Sequence, residues 1–146
     1  MQCSNVVGQE KIGDWYYQCS KNEKANVTVC NIFQNTSRKE DNAQLLNVRI
    51  FKDAKSNKLV FIATVPLGTL LPPGLVLQAD EVELFKMAYA ACTKSGCVTA
   101  PIEIVDTQIQ KLETAKNAQL LIATIDRKVV GMPISLNGFK DALGKL

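Results

Sequence analysis

The sequence predicts a mainly β protein, an antiparallel β-sandwich of about nine short strands with two short helices. Short runs rich in Val, Ile, Phe, Tyr and Trp recur along most of the chain, and polar, turn-favouring clusters separate them. A helical period of apolar residues appears in only two segments. The chain of 146 residues shows no repeat and no linker, so we assign residues 1–11 to a flexible N-terminal tail and residues 12–146 to a single domain.

Strands are expected wherever these apolar runs occur, at residues 12–19, 27–33, 45–51, 59–65, 75–78, 82–91, 98–105, 120–125 and 129–134. The polar segments at residues 53–57 and 126–128 are expected to form hairpin turns. Residues 71–74 contain Pro72 and Pro73, which have no N–H to donate to a strand ladder. We therefore expect this segment to form a turn between two strands.

The first predicted helix covers residues 106–115, where Ile109 and Leu112 lie three positions apart and Asp106 can act as the N-cap. The second predicted helix lies at the C-terminus and has Ser135 or Asn137 as its cap. Four residues are expected to form its apolar side: Phe139, Ala142, Leu143 and Leu146. Trp15 is expected to pack against a neighbouring disulfide and the opposite sheet.

The composition indicates a soluble globular protein and excludes several functional classes. Hydrophobic residues make up 47% and charged residues 21% of the chain, and no stretch approaches the roughly 18 apolar residues of a membrane span. The net charge of +3 is mild and its lysines are spread out, so we expect no nucleic-acid partner. There is no histidine, no nucleophile-elbow or Ser-x-x-Lys motif and no phosphate-binding loop. We therefore predict neither catalysis nor a cofactor nor a metal site.

Four of the five cysteines fall into two close pairs, Cys19 with Cys30 and Cys92 with Cys97. Structural zinc needs four Cys or His ligands in tighter pairs, so this spacing disfavours zinc. We favour disulfides, because each pair connects the end of one expected strand to the start of the next, and Gly96 can adopt a positive φ in the tight second loop. The chain-entropy model gives about 2 to 3 kcal/mol for each bridge. Disulfides imply an oxidising compartment, and hence export with removal of a signal peptide.

Three alternatives remain open from the residues alone. Cys92 and Cys97 could instead serve a periplasmic thiol-disulfide or redox-sensing function, with Lys94 stabilising a thiolate. Cys3 has no partner and is interpreted either as a lipid-bearing cysteine or as a free thiol. A hydrolase of unfamiliar type could use acids such as Asp80, Glu81 and Glu83.

Short motifs along the chain resemble the invasion-associated locus B family of Gram-negative bacteria, in the order in which that family has them. These motifs are Gly13-Asp14-Trp15 followed by Cys19, then Cys30 and Gln34, Val65-Pro66-Leu67-Gly68, Leu71-Pro72-Pro73-Gly74, Tyr89 before Cys92, Gly96-Cys97-Val98, Ser135-Leu136-Asn137-Gly138-Phe139 and Ala142-Leu143.

The resemblance implies an exported β-sandwich protein that is periplasmic, associated with the outer membrane or secreted. It also implies a link to host-cell entry in pathogens, notably entry into erythrocytes, without an established enzymatic activity or cofactor. We therefore expect a non-enzymatic binding protein with an unidentified protein or cell-surface partner. Outer-membrane association and a homodimer are both compatible with this expectation, the latter through exposed strand edges.

Overall fold

The computed structural model of the chain describes residues 4–22, 24–37, 44–53 and 55–146. Its strands form two sheets in which all neighbouring strands are antiparallel, and two helices complete the fold. The predicted fold class is therefore confirmed. Cys3, with its two interpretations, lies outside the described residues.

The larger sheet has the strand order β1-β2-β3-β4-β5-β9-β8, and β10 pairs with the other end of β5. Its eight strands are β1 (Ser4–Ile12), β2 (Trp15–Asn22), β3 (Val27–Ser37), β4 (Gln44–Lys52), β5 (Leu59–Val65), β8 (Tyr89–Thr93), β9 (Gly96–Thr99) and β10 (Ile102–Ile104).

The smaller sheet has the order β12-β11-β6-β7, so that β12 and β7 are its two edges. Its four strands are β6 (Leu75–Ala79), β7 (Val82–Met87), β11 (Ala118–Ala123) and β12 (Val129–Ile134). Helix α1 (Asp106–Thr114) precedes β11, and helix α2 (Phe139–Leu143) follows β12.

The core lies between the two sheets because alternate side chains of each strand point inward. On β5, for example, Phe61, Ala63 and Val65 are buried while the residues between them are partly exposed. Phe61 meets Phe85 of the smaller sheet edge to face, with ring centroids 5.5 Å apart. Trp15 is buried in this core and lines one small cavity together with Leu77 of the smaller sheet, and its ring centroid lies 5.3 Å from that of Phe139 in α2. Its packing against a disulfide stays a prediction.

Two long apolar runs that were predicted as single strands are each divided in the structure. Residues 82–91 form β7 and β8, which belong to different sheets, and residues 98–105 contribute to β9 and β10. The breaks lie side by side, where the Ala100 amide donates a hydrogen bond of 2.9 Å to the Ala88 carbonyl. Pro101, which has no N–H, interrupts the second run. The described residues thus contain twelve strands rather than about nine.

The assignment of residues 1–11 to a flexible tail was wrong for the described part of that segment. Residues 4–12 form β1, which pairs with β2 along its length with one irregularity between Val6 and Gly8. The prediction failed because Gln9, Glu10 and Lys11 are all exposed and show no apolar alternation. Main-chain pairing defines this edge strand, and no buried side chain at these three positions contributes to it.

The helices lie where the sequence places them, but their N-caps differ from the predicted ones. Val105 is the N-cap of α1 and Asp106 lies in its first turn, while the Gln108 side chain accepts a hydrogen bond of 3.0 Å from the Val105 amide. Gly138 is the N-cap of α2, in place of Ser135 or Asn137, with a φ of 83° that suits glycine. The predicted apolar side of α2 is buried at Phe139, Ala142 and Leu143, and Leu146 is partly buried.

Candidate functional site

The two ends of the domain meet at a junction, which we call the terminal junction, formed by Gly13, Asp14, Gln34, Ser135 and Gly138. The Gln34 side chain accepts a hydrogen bond from the Ser135 amide (2.9 Å) and donates one to the Ser135 carbonyl (3.1 Å). The same carbonyl accepts a hydrogen bond of 2.9 Å from the Trp15 indole. The buried side-chain amide of Gln34 thus bonds both the amide and the carbonyl of Ser135, as the main chain of a neighbouring strand would.

Glycine is required at two positions of this junction because the main chains are in direct contact. A Cβ on Gly138 would lie 2.2 Å from the Ile12 carbonyl oxygen, and one on Gly13 would lie 2.4 Å from the Asn137 carbonyl oxygen. Both glycines also have a positive φ. These residues belong to the first and last motifs that the sequence analysis singled out, and their role here is architectural.

The junction also brings a serine and an aspartate together beside a surface cavity of about 380 Å³. The Ser135 hydroxyl donates a hydrogen bond of 2.5 Å to Asp14 and accepts one of 3.1 Å from the Asn137 amide. A serine nucleophile needs an adjacent base such as histidine to take its proton. Since the chain has no histidine and the Ser135 hydroxyl is used in both directions, this pair supports the turn before α2.

Both predicted disulfides are present, and each joins residues that face each other on neighbouring strands. Cys19 of β2 is bonded to Cys30 of β3 across a Cα–Cα distance of 4.0 Å, and Cys92 of β8 is bonded to Cys97 of β9 across 3.9 Å. Gly96 takes the predicted positive φ, 132°. Cys92 is an exposed residue and Cys97 is buried, and the second bridge lies within the edge hairpin of β8 and β9.

The acids considered for hydrolysis lie at the β6–β7 turn, next to a surface groove of about 520 Å³. Asp80 and Glu81 both have a positive φ there. The Asp80 carboxylate accepts hydrogen bonds of 3.1 Å from the main-chain amides of Lys116 and Asn117, which fixes the turn against the start of β11. Glu81 and Glu83 are exposed. Asp80 is therefore accounted for by a structural role.

The outer face of the larger sheet carries a row of side chains that sequence reasoning did not single out. Tyr16, Phe33 and Arg49 lie in register on β2, β3 and β4. All three point away from the core, because the residues before and after each of them pack into the core, fully or partly buried. The rings of Tyr16 and Phe33 are stacked at 5.4 Å, and the Arg49 guanidinium lies 4.9 Å from the centroid of Phe33. Phe33 is only 8% exposed as a result, although it lies on the outer face.

The Arg49 guanidinium is half-buried, and within the described part of the chain it makes no hydrogen bond or ion pair. Burial lowers the pKa of Arg49, since partial loss of water disfavours the charged form. The guanidinium of an arginine stays protonated at neutral pH even with a lowered pKa, so its N–H groups can donate hydrogen bonds to an acceptor on a partner.

Asn31, two positions before Phe33 on the same face, adds a second unpaired polar group. It is 8% exposed, and its side-chain oxygen is buried without a hydrogen-bond partner among the described residues. Buried acceptors without a partner are uncommon and costly in folded proteins. We call Tyr16, Asn31, Phe33 and Arg49 the Arg49 surface. It combines stacked aromatic rings with a cation and an acceptor that have no hydrogen-bond partner among the described residues, and aromatic and arginine side chains are enriched at binding surfaces.

Comparisons with known proteins identify the family of the chain. The family model described as "Invasion associated locus B (IalB) protein" matches residues 15–146. The chain belongs to the invasion-associated locus B family. A search of curated proteins finds no match. Among solved structures, the crystal structure of invasion associated protein B from Bartonella henselae superposes with a TM-score of 0.83 at 22% sequence identity, covering 95% of each chain.

The structural similarity to the Bartonella protein shows that the invasion-associated locus B fold extends over almost the whole chain. The resemblance predicted from short motifs is therefore confirmed. All five residues of the terminal junction belong to these motifs, and four motif cysteines form the two disulfides. Arg49 and Asn31 lie outside the motifs. No helix in the described ranges has the length and apolar character needed to span a bilayer.

Proposed function

We propose that this protein is an exported, non-catalytic binding protein that contacts a partner at the cell envelope or on a host cell through the Arg49 surface. The observation that carries the proposal is the half-buried Arg49 guanidinium, unpaired in the described structure and stacked over Phe33. Arginine and aromatic side chains dominate the binding energy of many protein interfaces, and a desolvated guanidinium binds acceptors most strongly.

Export is supported by the two disulfides, since such bonds persist in the periplasm or outside the cell and are rare in the cytosol. The Cys19–Cys30 bond also holds the proposed binding surface in a fixed geometry, because it joins the two strands that carry Tyr16 and Phe33. The name of the Bartonella relative associates that protein with invasion. For the present chain we extend this association to a host-cell partner, for which erythrocytes are the first cells to test.

Binding of the labelled, oxidised protein to intact erythrocytes and to isolated bacterial envelopes tests the proposal. Arg49→Gln keeps hydrogen-bonding capacity but removes the charge. Its matched control is Lys86→Gln, which removes one charge from an exposed position of β7 in the other sheet. The fold of each variant is checked by its melting temperature and its disulfide content.

We expect saturable binding of the parent protein to one of these surfaces, with a Kd raised at least about 10-fold by Arg49→Gln, as for an interface hot spot. The Lys86→Gln variant should bind within about 2-fold of the parent, since an isolated exposed charge contributes little. Equal losses in the two variants would indicate general charge attraction and would contradict the proposed surface. Absence of saturable binding to both surfaces would contradict the proposed function.

A second candidate function, thiol-disulfide exchange by Cys92 and Cys97, has one observation in its favour. Cys92 is an exposed residue on an edge strand, whereas Cys97 is buried, and thiol-disulfide exchange requires a sulfur that a thiolate can reach. A redox function requires a reduction potential in the range of redox-active bridges, above the values typical of structural disulfides. Equilibration in glutathione buffers of graded potential, with alkylation and mass spectrometry, measures it. A bridge that stays oxidised throughout would leave only the structural role.

A further inference from the structure

Strand β12 is an edge of the smaller sheet that has Pro133 near its end but no charged residue to protect it. Its six residues, Val129–Ile134, include no charged side chain, whereas exposed charges lie on the opposite edge strand β7 at Glu83 and Lys86 and on β1 at Glu10 and Lys11. The remaining edge strands β8 and β10 are short, with five and three residues. Proteins usually protect long edge strands with charges, because an exposed edge can pair with another strand.

The main-chain groups of Val129 and Gly131 point away from the sheet. The Thr124 amide donates a hydrogen bond of 2.8 Å to the Lys128 carbonyl, so these two residues form a hydrogen-bonded pair of the hairpin. The carbonyl of the neighbouring Ala123 points to the other side of β11, where it accepts a hydrogen bond of 2.7 Å from the Leu70 amide. Val129, opposite Ala123, is therefore in a non-hydrogen-bonded position of the β11–β12 ladder, and Gly131 repeats it two residues later.

The free edge is closed at both ends, and at its N-terminal end the Arg127 amide donates a hydrogen bond of 2.8 Å to the Thr124 carbonyl. Pro133, the next residue that points outward, has no N–H, and both main-chain groups of Ser135 are bonded to Gln34. No strand other than β11 pairs with β12 in the described parts of the chain. The unpaired donors of the edge are thus the amides of Val129 and Gly131, each with its carbonyl beside it.

The side chains at the same edge are apolar and exposed on both faces of the sheet. Val129, on the outer face, is 71% exposed. Val130 lies on the face that elsewhere forms the core, yet it is 41% exposed. Ile125 and Leu67 lie nearby, because the Ile125 amide donates a hydrogen bond to the Gly68 carbonyl, and both are also exposed. Clusters of exposed apolar side chains commonly mark interaction sites.

We propose that β12 pairs antiparallel with β12 of a second copy of this chain, with Val129 of each copy opposite Gly131 of the other. This register satisfies all four unpaired main-chain groups of each copy and requires no N–H from Pro133. It places the two Val130 residues opposite each other on the two-fold axis, at a closely spaced non-hydrogen-bonded pair where their exposed surface is buried. The Gln119 side chain lies over Gly131 on this face, and its flexible end must rotate away for the Val129 side chain of the other copy to pack there.

The charges near β12 are compatible with a second copy as the occupant. Lys128 and Arg127 lie two and three residues from the proposed axis, so each would be separated from its counterpart by roughly 13 Å and roughly 20 Å along the paired strands. Both distances exceed the screening length of about 8 Å at physiological salt, so the repulsion is weak. The pairing joins the two smaller sheets and leaves the outer face of each larger sheet free. It does not depend on the proposed function of the Arg49 surface.

Sedimentation equilibrium of the oxidised protein over a range of concentrations tests the proposal. The parent should show a reversible monomer–dimer equilibrium. Val129→Lys should weaken dimerisation at least about 10-fold, because it places a charge against the paired edge. The matched control, Val82→Lys, changes an exposed valine on the opposite edge strand (54% exposed) and should leave the dimerisation constant within about 2-fold.

A cysteine substitution tests the register independently of any loss of stability. In a Cys3→Ser background, Val130→Cys should form a covalent dimer on mild oxidation, because directly opposite residues allow a disulfide. Val129→Cys should crosslink much less, since its counterpart lies diagonally across the strands. A parent that remains monomeric, as expected if β12 binds a strand of another protein, would overturn the proposal. Equal dissociation by Val129→Lys and Val82→Lys, or equal crosslinking at both cysteine positions, would overturn it as well.

Discussion

The substitution Gly138→Ala probes the close main-chain contact on which the terminal junction depends. Two costs add at this position. A non-glycine residue with a φ of 83° loses about 1 to 2 kcal/mol relative to glycine. The new Cβ would also lie 2.2 Å from the Ile12 carbonyl oxygen, a main-chain atom that cannot rotate away. Forced shifts in a packed region cost about 1 to 3 kcal/mol, so we expect a total loss of about 2 to 5 kcal/mol.

Gly68→Ala is the matched control, because it separates the two costs. Gly68 has a similar φ of 91°, but a Cβ there would meet no atom within 4 Å. It should therefore lose only the conformational part, about 1 to 2 kcal/mol. Urea denaturation of the oxidised proteins, followed by tryptophan fluorescence, measures both free energies of unfolding. If Gly138→Ala is no more destabilising than Gly68→Ala, the inferred contact between the chain ends is wrong.

Three further predictions concern the core, the disulfides and the junction. Burial raises the pKa of Tyr89 to about 12, and its buried hydroxyl has no hydrogen-bond partner in the described structure. Because this folded-state pKa lies above the unfolded value near 10, the contribution of Tyr89 to the free energy of unfolding should be fully present below pH 10 and be lost as the pH rises from 10 to 12. Tyr89→Phe should flatten this part of the pH dependence of unfolding, and an unchanged slope would contradict the burial of the hydroxyl. Replacing both cysteines of Cys19–Cys30 by serine should lower the free energy of unfolding by about 3 kcal/mol, and replacing both cysteines of Cys92–Cys97 should lower it by about 2 kcal/mol. The difference follows from the sequence separations of 11 and 5 residues. The opposite order of the two losses in urea denaturation would refute the loop-length argument. Gln34→Met should cost about 2 kcal/mol in the same assay, because it leaves the main-chain groups of Ser135 with fewer partners, and a neutral effect would remove Gln34 from the junction.

Strands with a clear alternation of buried and exposed residues could be predicted from the sequence. Residues 59–65 and 129–134 were expected as strands, and the bounds of β5 and β12 coincide with them. The break at Ala88 could not be predicted as readily, because apolar residues continue through it and only the tertiary structure separates β7 and β8 into different sheets. The break between β9 and β10 had a sequence signal, Pro101, which the strand prediction over residues 98–105 did not use. The edge strand β1 was missed because its exposed residues show no periodicity, although its main chain is paired.

The disulfides could be predicted because cysteine spacing is a local property that the expected hairpins made interpretable. The Arg49 surface could not be predicted in the same way. Its residues come from three strands, and only the register of β2, β3 and β4 brings Tyr16, Phe33 and Arg49 into one row. An outward-facing Phe in a strand has the same sequence signature as a core residue. The available signal was the alternation itself, which places Tyr16 opposite in direction to the buried Trp15.

The most direct test of the central claim, that the Arg49 surface contacts the partner, is site-specific photo-crosslinking. A photoreactive residue is placed at Gln18, which lies two positions from Tyr16 on the same face, or at Lys86 on the smaller sheet. After binding to erythrocytes or bacterial envelopes, we expect a defined crosslinked product from position 18 that disappears when Arg49→Gln is added, and none from position 86. Crosslinking from position 86 alone, or crosslinking at position 18 that does not depend on Arg49, would contradict the account.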